Sequence, residues 1–234
     1  MKNNYKLILI ILFKLIFLSP VLASDQFNFD VTEIEILEKG NKVKGLNRGR
    51  VTTNDGIILD ADTFIYDKVL NTIFAEGNVL IQDLINEVTI ESNDITYQKN
   101  NENIFTNSRS KAISKNITID ANSFNYNKNL NTLNAYGDVK VDDKNKNILI
   151  YSDDITYYKK LEKIVSEKNS EAFSENIKIQ SKEFEYNKIL NLLNASGNVI
   201  LEDNARDVII YAENITYQKD KEKIFTQGNT EAIV

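Results

Sequence analysis

The sequence predicts an all-β protein assembled from repeated strand pairs, on three observations. The chain repeats itself at an offset of 60 residues, its apolar positions alternate with a period of two, and no proline follows Pro20. Self-similarity at a fixed period marks a stacked repeat architecture, and strict alternation marks half-buried strands. No helical period competes with it in the sequence.

The elements follow in chain order. Phe64-Ile65-Tyr66-Asp67-Lys68 returns as Phe124-Asn125-Tyr126-Asn127-Lys128 and as Phe184-Glu185-Tyr186-Asn187-Lys188. Ile73-x-Ala75-x-Gly77-x-Val79 is matched by Leu133, Ala135, Gly137 and Val139 and by Leu193, Ala195, Gly197 and Val199, with Asp83, Asp143 and Asp203 closing each unit. The second half of the unit runs Ile95-Thr96-Tyr97-x-Lys99, then Ile155-Thr156-Tyr157-x-Lys159, then Ile215-Thr216-Tyr217-x-Lys219. Each is followed by Ile104, Ile164 or Ile224 and by Ala112, Ala172 or Ala232. The two halves occupy equivalent places, so six half-units are clear, and residues 32–49 form a seventh, degenerate one.

Within a half-unit Ile73, Ala75, Val79 and Ile81 share one parity while Phe74, Glu76 and Leu80 take the other. The inward parity is odd at Ile57, Leu59 and Ala61 but even at Phe64 and Tyr66, which calls for a bulge or bend near residue 62. Residues 67–72 have the polar, Asn-containing character of a turn. Each half-unit therefore gives two strands and a reversal, and seven give about 14 strands around one continuous interior.

Ahead of the repeats, Lys2 and Lys6 precede an apolar run over residues 7–18, broken by Lys14, and then Val21 and Ala23. This is the layout of a cleaved export signal over residues 1–23, since the run is too short for a membrane span. Cleavage there removes three lysines and takes the formal charge from −6 to −9. No cysteine follows the cut to carry a lipid anchor, so residues 24–234 are expected as one soluble extracytoplasmic domain.

Composition narrows the function. There is no His, Cys or Trp, which removes Ser-His and Cys-His nucleophiles, Cys/His zinc sites and disulfides. No catalytic residue, cofactor or metal is expected. Lys and Arg number 28 against 34 acids and are scattered, so nucleic acid is not a partner. Asp60/Asp62, Asp142/Asp143 and Asp153/Asp154 are the closest acid pairs, but they do not match across copies. They are expected on a solvated outer face and in turns rather than at a calcium or acid/base site. The lysines of Tyr-x-Lys, at 68, 99, 128, 159, 188 and 219, are expected to cap turn carbonyls or solubilise an edge, with phosphate binding as the alternative.

The sharpest feature is the recurring Phe/Ile-x-Tyr set. With the aliphatic and alanine positions it gives the expected interior: Phe64, Tyr66, Ile73, Ala75, Val79, Ile95, Tyr97, Ile104, Phe124, Tyr126, Leu133, Val139, Ile155, Tyr157, Ile164, Phe184, Tyr186, Leu193, Val199, Ile215, Tyr217 and Ile224. A packed core is the plainer reading. Small residues opposite aromatics would also leave an elongated apolar groove suited to acyl chains.

The leader, Phe27-Asn28-Phe29-Asp30-Val31-Thr32, Ala61-Asp62-x-Phe64-x-Tyr66-x-Lys68 and Ala75-x-Gly77-Asn78-Val79 resemble the OstA-like domain family of lipopolysaccharide transport, over residues 27–234. The family includes the periplasmic LptA bridge and the N-terminal part of LptD. The resemblance implies a β-jellyroll whose interior passes the lipid A chains of lipopolysaccharide towards the outer membrane and an LptD-type barrel. The chain lacks that barrel and its cysteines, which leaves a free-standing bridge and a truncated LptD domain both open. The competing class is a β-solenoid surface-structure protein or adhesin. Burying a methylene is worth about 0.8 kcal/mol, so a dozen-carbon chain would gain roughly 10 kcal/mol; an open groove exchanging equal contacts lets the lipid move, whereas a sealed pocket traps it. The ends, Phe27, Phe29, Val31 and Ile34 on one side and Ala232, Ile233 and Val234 on the other, carry no cap and are expected to join similar jellyrolls edge to edge.

Overall fold

The structure is a computed structural model and describes residues 27–234; the expected leader lies outside the described residues. Twenty strands appear, against an expectation of about fourteen. They group into fourteen successive legs of one antiparallel meander. The legs are β1 (Asn28–Leu37), β2 (Lys42–Thr52), β3 (Ile57–Ala61) with β4 (Thr63–Asp67), β5 (Thr72–Asp83), β6 (Val88–Gln98), β7 (Asn103–Phe105) with β8 (Ser110–Ser114), and β9 (Ile117–Ala121) with β10 (Ser123–Asn127). They continue with β11 (Thr132–Asp143), β12 (Ile148–Tyr158), β13 (Lys163–Ser166) with β14 (Ser170–Ser174), β15 (Ile177–Ser181) with β16 (Glu183–Asn187), β17 (Leu192–Asp203), β18 (Val208–Gln218), and β19 (Lys223–Gln227) with β20 (Glu231–Ile233). Each leg pairs with the legs before and after it, as β5 does with β3 and β4 on one side and β6 on the other.

The higher strand count has a physical cause: every leg turns a corner halfway along, and in six legs the corner interrupts the strand. At Asp62 the parity changes as expected, Ala61 and Phe64 both pointing inward. In the neighbouring leg the corner is absorbed by a bulge, the register shifting between Glu76 and Val79 and likewise at Tyr136/Val139 and Ser196/Val199. Gly77 sits in this bulge with φ 81°, and a Cβ there would lie 2.5 Å from Asp62 Oδ2, so the repeat retains glycine for both conformation and space. The Asp62 amide donates to the Gly77 carbonyl at 2.9 Å, and Asn122 does the same to Gly137.

The corners fold the meander into two facing half-sheets. One holds the Phe-x-Tyr positions and is called here the tyrosine half-sheet: β4, β7, β10, β13, β16, β19 and the adjoining halves of the long strands. The other, the aspartate half-sheet, holds β3, β8, β9, β14, β15, β20 and the remaining halves, ending at Asp83, Asp143 and Asp203. Both inner faces join a single apolar cluster that runs from Phe27 to Tyr217. The corners close one edge of this sandwich. The tips of the turns meet along the other edge, forming a seam.

Candidate functional site

The expected interior set does face inward. Twenty of its residues are buried, and Tyr66 and Ile224 are half-buried at the ends of the stack. The interior is filled, however. Phe64, Phe124 and Phe184 lie directly beside Ala75, Ala135 and Ala195 on neighbouring legs, so each small residue makes room for the adjacent ring instead of leaving a groove. The void between Val88, Ala112, Ile117, Leu133 and Tyr157 is about 10 Å³, the space of one water. An acyl chain enters only if the half-sheets separate.

Along the open edge the seam ties them together. Tyr126 Oη donates to Asp83 Oδ2 at 2.8 Å and Tyr186 Oη to Asp143 Oδ2 at 3.0 Å, each across 43 residues. Asp83, Asp143 and Asp203 are buried, which corrects the placing of Asp143 on a solvated face. A signal was present: these acids are constant at the period of 60 and share the inward parity of Val79 and Ile81. Burial, with the facing carboxylates second, holds the phenols of Tyr126 and Tyr186 well above the ordinary tyrosine range, so both remain neutral donors at any physiological pH.

The lysines also belong to the seam rather than to a soluble edge. Lys99 Nζ lies 2.7 Å from Asp55 Oδ2, and Lys128 Nζ bonds the same oxygen. Glu102 lies 3.5 Å from Lys128 and accepts the Tyr97 hydroxyl at 2.7 Å. Burial works against the Asp55 charge, but the hydrogen bonds from Lys128 and Lys99 outweigh it and hold its carboxyl below the usual range. Further along, Lys159 donates to the Asn86 carbonyl, Lys188 lies 3.7 Å from Asp143, and Lys219 donates to Ser174 Oγ at 2.7 Å. Only Lys68 fits the exposed-edge expectation.

These partners reveal a stagger. Asp83 ends the fourth leg and Tyr126 lies in the seventh; Asp143 and Tyr186 lie in the eighth and eleventh. Among the described residues the tyrosine half-sheet is thus displaced by three legs, leaving its first three legs and the last three of the aspartate half-sheet without an opposite face. Tyr66, whose aspartate would come from an earlier leg, bonds Asn71 Oδ1 instead at 3.0 Å. Asp203 has no tyrosine partner among the described residues and accepts from Arg206 at 2.8 Å. Ile34 and Ile36 are exposed at one end. At the other, Val208 and Ile210 are half-exposed where Val88, Ile90, Ile148 and Ile150 are buried, and Ala232 is exposed.

No family model matches the chain, and no curated protein does. Among solved structures it is similar to LptH, the LptA-homologous periplasmic component of the lipopolysaccharide transport device of Pseudomonas aeruginosa. The identity is 12% and the TM-score 0.27, covering 77% of this chain and 95% of that one. An overlap that weak carries no argument, and the architecture stands on its own strand pairing. The terminal residues need two corrections: Phe27 precedes β1 and is buried, its ring 4.8 Å from Tyr66 and 6.0 Å from Tyr97, and Val234 follows β20. Among the described residues β1 pairs only with β2, and β19 and β20 only with β18, so each end presents a free strand edge. Among them, too, no cluster of acids is close enough to hold a metal.

Proposed function

We propose that this chain is a periplasmic segment of a lipopolysaccharide bridge, taking lipid A acyl chains between its half-sheets and passing them towards an outer-membrane LptD-type barrel. One observation carries the reading: among the described residues the apolar interior runs unbroken from leg to leg and reaches both ends uncovered, beside free strand edges. A self-contained sandwich would close its ends, whereas a conduit leaves them for the next module. The three-leg overhangs are complementary in kind, an uncovered tyrosine half-sheet at one end and an uncovered aspartate half-sheet at the other, so similar jellyrolls would join head to tail by edge pairing. The residue pattern shared with OstA-like domains supports the same reading.

Photo-crosslinkers at Tyr126, Tyr157 and Phe184 should capture acylated lipid, and those at Asn125 and Thr156 should not. Equal capture from both faces would end the proposal. Light scattering over a concentration series should show linear growth that Ile34→Pro or Ile233→Pro suppresses; a monomer at every concentration would remove the joining of modules.

A further inference from the structure

The seam repeats every 60 residues, but its charge does not. Lys99, Lys159 and Lys219 are equivalent positions, and the turns that face them carry Asp55, Lys115 and Glu175 at equivalent positions. Lys99 meets Asp55 at 2.7 Å and Lys219 meets Glu175 at 3.2 Å. Between these two ion pairs, the central repeat sets lysine opposite lysine. Among the described residues no carboxylate lies within 4 Å of Lys159 Nζ, which donates to the Asn86 carbonyl. Lys219 also donates to Ser174, whereas the equivalent Ser114 hydroxyl is buried without a hydrogen-bond partner.

The surroundings reinforce the reversal. Lys144 and Lys146 lie on the adjoining turn, tied to that of Lys115 by the Lys144 amide donating to Asn116 O at 3.3 Å. Glu162 is shared between Lys115 at 3.5 Å and Lys188 at 3.4 Å, and Glu87 and Asp83 are the other acids near Lys159. Lys159 and Ser114 themselves line the small apolar void between the half-sheets, so the ammonium stands where the interior reaches the seam.

We propose that Lys115, Lys159 and Ser114 form a head-group site for a phosphate monoester borne on an amphiphile, whose alkyl chain enters the interior at the void below. The proposal rests on the reading of the interior as an acyl carrier and adds its head-group chemistry. Two ammonium groups and a hydroxyl supply charge-assisted donors to phosphate oxygens, and the adjacent void gives the chain its entry. A free phosphate would use the donors without the apolar wall.

Calorimetric titration of the purified protein with monodecyl phosphate, decyl maltoside and inorganic phosphate tests this, with both amphiphiles below their critical micelle concentrations. Monodecyl phosphate should bind about tenfold more tightly than either of the others, one charge-assisted contact being of that size. Lys115→Glu, which restores the acid of the flanking repeats, should abolish the preference for phosphate and leave decyl maltoside binding unchanged. Lys39→Glu, an equal charge change on the first turn, should alter neither. Equal binding of the two amphiphiles, insensitive to Lys115→Glu, would overturn the head-group site and keep the acyl reading. Inorganic phosphate binding as tightly as monodecyl phosphate would overturn the amphiphile as its source. Binding of neither amphiphile would overturn the acyl reading itself.

Discussion

In the first repeat, Lys99 and Lys128 are withdrawn from solvent and share Asp55, with Glu102 and the Tyr97 hydroxyl completing the cluster. Sixty residues on, Lys159 occupies the place of Lys99 but faces Lys115 and relies on one backbone carbonyl. The backbone, the apolar layer beneath and the tyrosines are the same in both places. The difference teaches that the sandwich is held by its core and corners everywhere, while the strength of its seam is set locally by a few turn residues. The first repeat is a latch, and the central repeat is where the two half-sheets part at least cost.

The largest test is to remove the latch. Lys99→Met leaves Asp55 and Glu102 short of a counter-charge and should lower unfolding free energy in urea by about 3 kcal/mol, the lower end for breaking a buried pair. Asp55→Ala should cost less, about 2 kcal/mol, because Asp55 is nearly a third exposed and solvent screens what it loses. Equal costs for Lys99→Met and Lys159→Met would erase the distinction between the two repeats.

The same substitution in the central repeat should have the opposite sign. Burial lowers the pKa of Lys159, so its charge opposes folding at pH 7. Lys159→Met should raise stability by about 1 kcal/mol, with a rise in melting temperature. That gain should shrink as pH rises through the lowered folded pKa and be gone above about pH 10.5, where the lysine is neutral in both the folded and unfolded states.

Acid should separate the repeats as well. The depressed pKa of Asp55 means that its contribution is complete above the ordinary aspartate value of about 3.9 and is lost as pH falls through the lower folded value. Protection against hydrogen exchange, taken relative to the intrinsic rate at each pH, should therefore fall between pH 5 and 2 around Tyr97 and Lys99 more than around Tyr157 and Lys159. A uniform fall would show that Asp55 does not secure the first repeat. The smallest effect belongs to Lys115→Glu, which supplies Lys159 with a partner near the surface but gives up the Lys115–Glu162 contact, and should change stability by no more than about 0.5 kcal/mol in thermal melting.

Much of the fold was legible because strand alternation and a 60-residue repeat are local properties of the chain. Ile73, Ala75 and Val79 declare their face within one strand, and three copies separate what is constant from what varies. The bend at residue 62 was legible for the same reason, as a change of parity between Ala61 and Phe64. The seam was not. It depends on which leg of one half-sheet comes to lie over which leg of the other, a displacement fixed by twist and corner geometry and absent from any single strand. Asp83 and Tyr126 carried the clue of constancy, but nothing in the sequence joins two residues 43 apart. The choice between a packed core and a groove stayed open because alanine beside phenylalanine looks alike whether the ring fills the gap or leaves it.

The stagger has a consequence for how such proteins change length. Inserting or deleting one 60-residue unit would add or remove four legs from the middle, yet each end would still show the same three-leg overhang, because the displacement is created at every corner and does not accumulate. Duplications within the gene could therefore alter the span of the protein without any compensating change at its joints. Span and joint are inherited separately, so modules of unequal length remain compatible neighbours.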